Sequence, residues 1–428
     1  MSQPLRIAIA GLGTVGIGVI RMIEMHGEQI ASRAGRAIEI SAIHAKDKSK
    51  KRAIDVSKYR WIDDIADLPS YADVVVEVIG GDSVAKSLIE FSLTSGKHVV
   101  TANKALLARH GLELAKLAEQ HKVGLNYEAS VAGGIPIIKA LREGFAGNEI
   151  KGLYGILNGT CNYILTQMRT TGRDFGDVLK EAQNKGYAEA DPTFDVDGID
   201  AAHKLSILTS LAFGVQPDFD AIDITGIRHI SAADIDFAQE LGFRIKLLGI
   251  ARRLDDGKIV QSLEPCMVPL HAALSAVEGV YNAVYVEGDF VGNALLEGRG
   301  AGEGPTASAV LSDLIDLARS QQLLPYGIPA ASLKKATWAG AQDIVGPQYI
   351  NLTVLDQPGV IADVAAVLRD SNISIETMIQ RGRAPGQAVS VVITTHDCSR
   401  AYIREAMEKI ENLSTVVASP TVLRIEQF

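Results

Sequence analysis

Residues 6–16 read RIAIAGLGTVG, and this run decides the fold. Residues 6–10 form a short apolar strand candidate, and residues 15–25 carry the spacing of a helix. Three glycines, Gly11, Gly13 and Gly16, lie at the junction. Between strand and helix the first permits a tight turn, the second lets backbone approach a pyrophosphate, and the third lets the helix pack closely. The helix start at Thr14 and Val15 turns its amides towards the anion. A chance glycine-rich turn would contain the same letters, so the flanking elements carry the dinucleotide reading. Strand-like runs at 38–44, 74–79 and 98–101 alternate with helical stretches, which predicts a parallel sheet covered on both faces.

In such folds an acid after the second strand meets the ribose 2′-hydroxyl of NAD. Here that strand ends in His44, Ala45, Lys46 and Asp47, followed by Lys48, Lys50, Lys51 and Arg52. The cations favour the 2′-phosphate of NADP, and Asp47 leaves NAD open. A solvated basic helix start is the plain alternative. Lys104, ending the segment TANK, falls at the C-terminal end of a predicted parallel strand, where open α/β sheets bind ligands; it could equally be a snorkelling surface lysine.

Residues 185–204 read KGYAEADPTFDVDGIDAAHK, with Glu189, Asp191, Asp195, Asp197 and Asp200 ahead of Lys204. The helix predicted at 199–213 is apolar on nearly every side and should be mostly buried. Asp200 and Lys204 are one turn apart on it. They form either an ordinary i,i+4 ion pair, with Asp197 as helix cap, or a catalytic couple in which burial draws the lysine towards neutral pKa. Five acids in one loop also call for a cation, and a substrate ammonium would serve.

At 428 residues, 47% hydrophobic, the chain is long enough for two or three domains. With 42 basic and 51 acidic residues the net charge is −9, which argues against nucleic acid. Cys161, Cys266 and Cys398 show no zinc or disulfide spacing, in keeping with a reducing cytoplasm. Neither a signal peptide nor a run long enough to span a membrane is evident.

A second, mixed domain begins near residue 151, with strand candidates at 153–157, 246–252 and 284–287. Residues 298–310, GRGAGEGPTASAV, read as a turn into a helix that returns the chain to the nucleotide domain, or as a bare hinge. After a linker at 340–347 the tail is predicted as strand 348–355, helix 361–370, strands 373–380 and 389–395, helix 401–413 and strand 415–425, a βαββαβ unit.

Together with TANKALL (101–107), EASVAGGIPII (128–138), LNGTCNYIL (157–165) and the acidic loop, the glycine turn gives a chain that resembles homoserine dehydrogenases over about its first 340 residues. The tail, with LDQPGVIADVAAVL, resembles an ACT domain. The resemblance implies an α/β protein with a Rossmann-like dinucleotide-binding domain at 1–134, completed by 303–340, an α+β catalytic and dimerisation domain at 135–302, and an ACT regulatory domain at 349–428. It implies NAD(P)-dependent interconversion of L-homoserine and L-aspartate 4-semialdehyde in threonine, methionine and isoleucine biosynthesis, by a cytoplasmic homodimer or homotetramer.

Residue by residue, Lys204 resembles the general acid and Asp200 the group that orients it and the substrate. Glu189 matches the holder of the α-ammonium, with Asp195 a second contact, and Thr160 lies where relatives meet the carboxylate. Lys104 resembles a cofactor contact and is the rival proton donor, while Gly186 and Gly302 match positions that touch the cofactor. Glu128 with the carbonyls of Val131, Gly133 and Ile135 matches a sodium site, although the same stretch reads on its own as a glycine-broken turn. Lys46 stands where many relatives have arginine, which lessens the grip on phosphate. In the tail, Asp356 and Gly359 of DQPG mark an effector turn, with L-threonine the typical effector; a copy that only dimerises is the alternative. Two other functions fit parts of the chain: aspartate-semialdehyde dehydrogenase with Cys161 as nucleophile, and a catalytically silent amino-acid sensor.

Overall fold

Every residue of β1 (Leu5–Ala10) except Arg6 is buried, because this strand lies inside a sheet covered on both faces. The computed structural model describes residues 3–321, 323–381 and 385–428. The chain divides into two units, one of residues 1–159, 200–222 and 280–336, the other of residues 160–199, 223–279 and 337–428.

In the first unit β1 leads into α1 (Thr14–Ala34), followed by β2 (Ile38–His44), β3 (Val74–Glu77), α2 (Ser83–Thr94), β4 (His98–Thr101), α3 (Lys104–His121) and β5 (Leu125–Asn126). All five strands are parallel, in the order β2-β1-β3-β4-β5. The direction of strand progression reverses between β1 and β3. Ligands of open α/β sheets bind at the carboxyl ends beside such a switch point.

α1 runs nine residues beyond the predicted end at Met25. His26 leaves helical geometry (φ −121°, ψ 19°), but Ile30 and Ala34 continue the buried stripe, so the helix resumes after the kink. β3 stops at Glu77 rather than residue 79, because the Glu77 carboxylate accepts the amides of Ile79 (2.9 Å) and Gly80 (3.2 Å) and turns the chain. Helix Glu303–Ala318 shares the core of this sheet through Ala307, Val310, Leu311 and Leu314, which meet Val19, Ile20 and Ile30. Gly18 permits the approach, since a Cβ there would lie 2.8 Å from Glu303 Cγ and 3.0 Å from Ala307 Cβ.

Strands Ile150–Ile156, Tyr281–Gly288 and Gly292–Arg299 form an antiparallel group with Tyr281–Gly288 in the middle. The last of these has no counterpart in the predicted elements, since half-buried positions on both faces blur its alternation.

In the second unit Phe243–Arg253 and Ile259–Pro269 form a long hairpin. All eleven residues of Ile259–Pro269 are buried, so this strand lacks the period-two pattern that reveals a half-exposed one. The tail forms an antiparallel sheet in the order Thr421–Ile425, Gln348–Leu355, Ala388–Thr395, Ile375–Gln380. Helices Val360–Asp370 and Arg400–Glu411 share its core, in which Ile350, Leu352, Val364, Leu368, Ile403 and Ile410 are buried. The closing strand begins at Thr421 rather than 415, immediately after Pro420.

This tail is built into its unit. Thr421–Ile425 pairs in parallel with Ile259–Pro269 through Arg424 opposite Cys266 and Ile425 opposite Met267. Arg400 grips Glu264 with two bonds of 3.0 and 2.8 Å, and Asp234 accepts Tyr349 Oη (2.9 Å) and Asn351 Nδ2 (2.7 Å). Among the described residues no helix is long and apolar enough to cross a membrane.

Candidate active site

The glycine turn has the geometry its sequence requires. Gly11 has φ +107°, and a Cβ on it would lie 2.5 Å from the carbonyl oxygen of Val78, at the end of β3. A Cβ on Gly16 would lie 2.0 Å from Gly11 O, so α1 presses onto the turn. Gly13, the N-cap of α1, faces open space, with nothing within 4 Å of a Cβ position. Thr14 and Val15 open the helix, where amides have no intrahelical acceptor. The residues present therefore fit a dinucleotide pyrophosphate.

Beyond β2 the basic run forms turns, not a helix. Asp47 Oδ1 accepts Ser49 N (2.8 Å), Ser49 Oγ (2.7 Å) and Lys50 N (3.2 Å). Hydrogen bonds from Ser49 chiefly, against a small burial effect, draw its carboxyl below the usual range. Arg52 folds back onto the carbonyls of Asp47 (2.6 Å) and Lys50 (2.8 Å) and stacks on Trp61. Lys46 stays exposed.

The turn after β4 is tied to the turn after β3. Thr101 Oγ1 donates to Glu77 Oε2 (2.5 Å), and Asn103 Nδ2 donates to Gly81 O (2.7 Å). Asn103 also caps α3, accepting Leu106 N (3.2 Å), which makes Lys104 the first helical residue. Burial pushes Glu77 up, against hydrogen bonds from Thr101, Ile79 and Gly80.

Helix Ile199–Phe213 has the predicted bounds and is buried on almost every side. Asp200 is 5% exposed and Lys204 8%, which rules out a solvated surface pair. Lys204 Nζ donates to Asp200 Oδ2 (2.6 Å) and to Leu157 O (2.8 Å). Asn158 Nδ2 donates to the same Asp200 oxygen (2.9 Å), and Lys104 Nζ lies 3.1 Å from Oδ1. One carboxylate thus joins both candidate proton donors. Burial alone would raise the Asp200 carboxyl, but the charges of Lys204 and Lys104 and the bonds from Lys204 and Asn158 outweigh it and hold it well below the usual range. An ammonium has three N–H donors. These two contacts engage two of the three on Lys204.

The second unit contains Thr160, Gly186, Glu189 and Asp195. Thr160 Oγ1 donates to Tyr187 O (2.7 Å), tying the start of helix Gly159–Thr171 to the loop that carries Glu189. Below this tie Tyr163 packs edge-on against Tyr187, and Lys185 bridges Tyr163 Oη (2.8 Å) and Glu181 (2.7 Å). Gly186 has φ +73°, and Glu189 is exposed. Asp195 is half-buried, and its carbonyl accepts Cys161 Sγ (3.3 Å). Asp197 is not the expected helix cap, for its carboxylate is paired with Arg228. Asp191 accepts Thr193 N (3.1 Å) in a local turn.

Glu128 is 2% exposed and accepts the amides of Ile138 (3.0 Å) and Lys139 (2.9 Å). Burial first, then neighbouring Asp313, pushes it up to about 7; burial likewise pushes Asp313 up to about 6. Between them in sequence, Val131 and Ile135 are buried, Ala132 has φ +48°, and Gly133 N donates to Gly300 O (2.9 Å). Gly302, with φ +118°, caps helix Glu303–Ala318. In the tail Gly359 has φ +97° at the start of Val360–Asp370, and Asp356 exchanges backbone bonds with Gly386 and Gln387. Among the described residues no three His, Cys, Asp or Glu side chains form a metal cluster.

Sequence reasoning missed Asn158, although it lies in the quoted LNGTCN, and Glu77, an acid in an apolar strand ahead of two glycines. The acid in the midst of the apolar run VVVEVI (74–79) was the available signal. Cys161 is fully buried, which deprives the thioacyl alternative of an accessible nucleophile.

Family models match as follows: homoserine dehydrogenase over residues 136–315, homoserine dehydrogenase NAD binding domain over 11–128, and ACT domain over 348–415. The chain is 44% identical to a homoserine dehydrogenase of Neisseria gonorrhoeae, covering 100% of this chain and 99% of that one. It is 43% identical to one from Pseudomonas aeruginosa, covering 100% of both. Among solved structures, a homoserine dehydrogenase from Thiobacillus denitrificans matches with TM-score 0.93 and 41% identity over 99% of this chain and 98% of that one. A hyperthermophilic archaeal homoserine dehydrogenase in complex with NADPH matches with TM-score 0.63 and 28% identity, over 73% of this chain and 97% of that one.

Proposed function

The chain belongs to the homoserine dehydrogenase family, and from that premise we propose how its residues divide the interconversion of L-homoserine and L-aspartate 4-semialdehyde. The observation that carries the reading is the single buried carboxylate of Asp200 shared by Lys204 and Lys104. A bound nicotinamide cofactor supplies or accepts the hydride. Lys204 gives a proton to the oxygen of the carbonyl as it becomes an alcohol and removes one in the reverse direction. Asp200 and the Leu157 carbonyl fix its ammonium, and Asn158 fixes Asp200. Lys104, with a side chain 34% exposed, serves at the cofactor side of the same carboxylate.

For the substrate's other end, Glu189 and Asp195 supply negative charge to the α-ammonium. The start of helix Gly159–Thr171, with Thr160, meets the carboxylate, as helix N-termini favour anions. Gly186 and Gly302 give the cofactor room.

NADP is the preferred cofactor. Asp47 spends its carboxylate on its own turn and Arg52 on the backbone, leaving exposed Lys46 to meet a 2′-phosphate. Turnover of L-homoserine, followed by nicotinamide absorbance, should be faster with NADP than with NAD at limiting cofactor. Lys46→Ala should raise the KM for NADP roughly tenfold, the worth of one charge-assisted hydrogen bond, and leave that for NAD nearly unchanged. A chain without turnover on either cofactor would instead support the silent sensor.

A monovalent cation, sodium by chemistry, fits beside Glu128. Burial raises both Glu128 and Asp313 against the charge of Lys139, so a further cation would be favoured there, and the carbonyls of Val131, Gly133 and Ile135 are hard oxygen ligands.

The tail acts as a regulatory module for an amino-acid effector, L-threonine, at the turn of Asp356 and Gly359. Its strand pairing with Ile259–Pro269 and the Arg400–Glu264 clamp give an effector a mechanical hold on its unit. L-Threonine should inhibit the full chain, and Asp356→Ala should weaken inhibition about tenfold or more without slowing uninhibited turnover. Wild-type turnover indifferent to threonine would remove this reading. The protein is proposed to work in the cytoplasm as a homodimer or homotetramer. The domain division is proposed as 1–134 with 303–340, 135–302 and 349–428.

A further inference from the structure

Lys246 is 3% exposed on strand Phe243–Arg253, in the second unit. A buried lysine is costly unless its ammonium is fully bonded. Its Nζ donates to the carbonyl of Val277 and to Asn162 Oδ1 (3.2 Å), with Glu278 at 3.8 Å. Asn162, itself 1% exposed, returns Nδ2 to the same Val277 carbonyl (3.2 Å). Lys246, Asn162 and Val277 therefore close a triangle of hydrogen bonds.

That triangle sits under the first turn of helix Gly159–Thr171, two residues beyond Thr160. The far end of the helix is held by the same cluster. Arg169 binds Glu278 Oε2 (2.7 Å), and Arg244, on Lys246's own strand, binds Oε1 (3.0 Å). Thr166, between them, accepts Gly279 N (3.1 Å). One loop, 277–279, thus pins the helix at three successive turns. The helix in turn holds the Glu189 loop through Thr160 and Tyr187. A general core would need only apolar side chains in this place, whereas the hydrogen-bonded amide and ammonium fix the rotation and axial position of one turn.

We propose that Lys246, acting through Asn162, is a positioning residue for substrate recognition: it fixes the turn that carries Thr160 and thereby the geometry in which homoserine is bound. The inference rests on the reading of Thr160 as part of the substrate-carboxylate site. Lys246 touches neither substrate nor cofactor in this role, so its loss acts on KM for L-homoserine more than on kcat or on KM for NADP.

The test compares four variants of the full chain in steady-state homoserine oxidation, with thermal melts recorded in parallel. Lys246→Met should raise KM for L-homoserine at least tenfold, with kcat and the KM for NADP changed less than threefold, and Lys246→Arg should recover part of the loss. Asn162→Ala, which removes the acceptor but leaves Lys246 on Val277 and Glu278, should reproduce the KM effect even if Lys246→Met fails to fold. Thr160→Ala should raise the same KM. A raised KM in Thr160→Ala with an unchanged KM in folded Asn162→Ala would overturn the positioning role alone. An unchanged KM in Thr160→Ala would overturn the carboxylate reading, and the inference with it.

Discussion

Lys204→Ala should lower kcat by roughly 100-fold or more in both directions, the usual consequence of losing a general acid. The lysine is held between Asp200 and the Leu157 carbonyl, so truncation removes the proposed proton donor, an ammonium whose position is fixed at both sides. Lys104→Ala removes a neighbour of the same carboxylate without removing that donor. Its expected effect is a raised KM for cofactor and a smaller loss in kcat. A crippled Lys104→Ala beside a mildly affected Lys204→Ala would exchange the two assignments.

Asp200→Ala should affect both activity and stability. Removing one partner of a buried charge pair leaves the other unpaired, at about 3–5 kcal/mol. Here the group left behind is Lys204, 8% exposed, with Asn158 also losing its acceptor. Turnover should fall at least as far as in Lys204→Ala, because the ammonium loses its orientation and its counter-charge together. In the wild type, the native Asp200 carboxyl titrates lower than it does in the unfolded chain. The unfolded state therefore takes up protons first as the solution is acidified. Asp200's contribution to stability is complete above the unfolded carboxyl range and is lost as pH falls from about 4 towards the depressed native value. A urea midpoint recorded from neutral to acid pH should show this slope, and Asp200→Ala should flatten it.

The glycine turn was legible because its requirements are local: Gly11 needs positive φ, Gly16 has no room for a Cβ, and both facts follow from strand, turn and helix in sequence. Helix Ile199–Phe213 was legible for the opposite reason, a run so apolar that few other placements could accommodate it. The ion pair of Asp200 and Lys204 was visible as spacing, but its burial and its third member were not. Lys104 is ninety-six residues from Asp200, and only the tertiary fold brings the two within 3.1 Å. The role of Asp197 was misjudged because capping is the local option, and Arg228, thirty-one residues on, competes successfully for that carboxylate. For the basic run after β2 the plain alternative was a solvated helix start, but Asp47 collects three donors within its own turn and Arg52 covers backbone carbonyls, so turns prevail. Strand Ile259–Pro269 escaped notice since burial on both faces erases alternation.

The family accounts for the reaction, and the shared carboxylate of Asp200 is the basis of the proposed route for the proton. Chemical rescue tests that claim most directly. Lys204→Ala and Lys104→Ala would each be assayed for homoserine oxidation with added small primary amines, which can occupy the space vacated by a lysine and, as the free base, take up the proton of the alcohol. The account predicts that amines restore kcat in Lys204→Ala in proportion to their concentration and leave kcat in Lys104→Ala unaltered. Rescue confined to Lys104→Ala, with Lys204→Ala turning over at the wild-type rate, would contradict it.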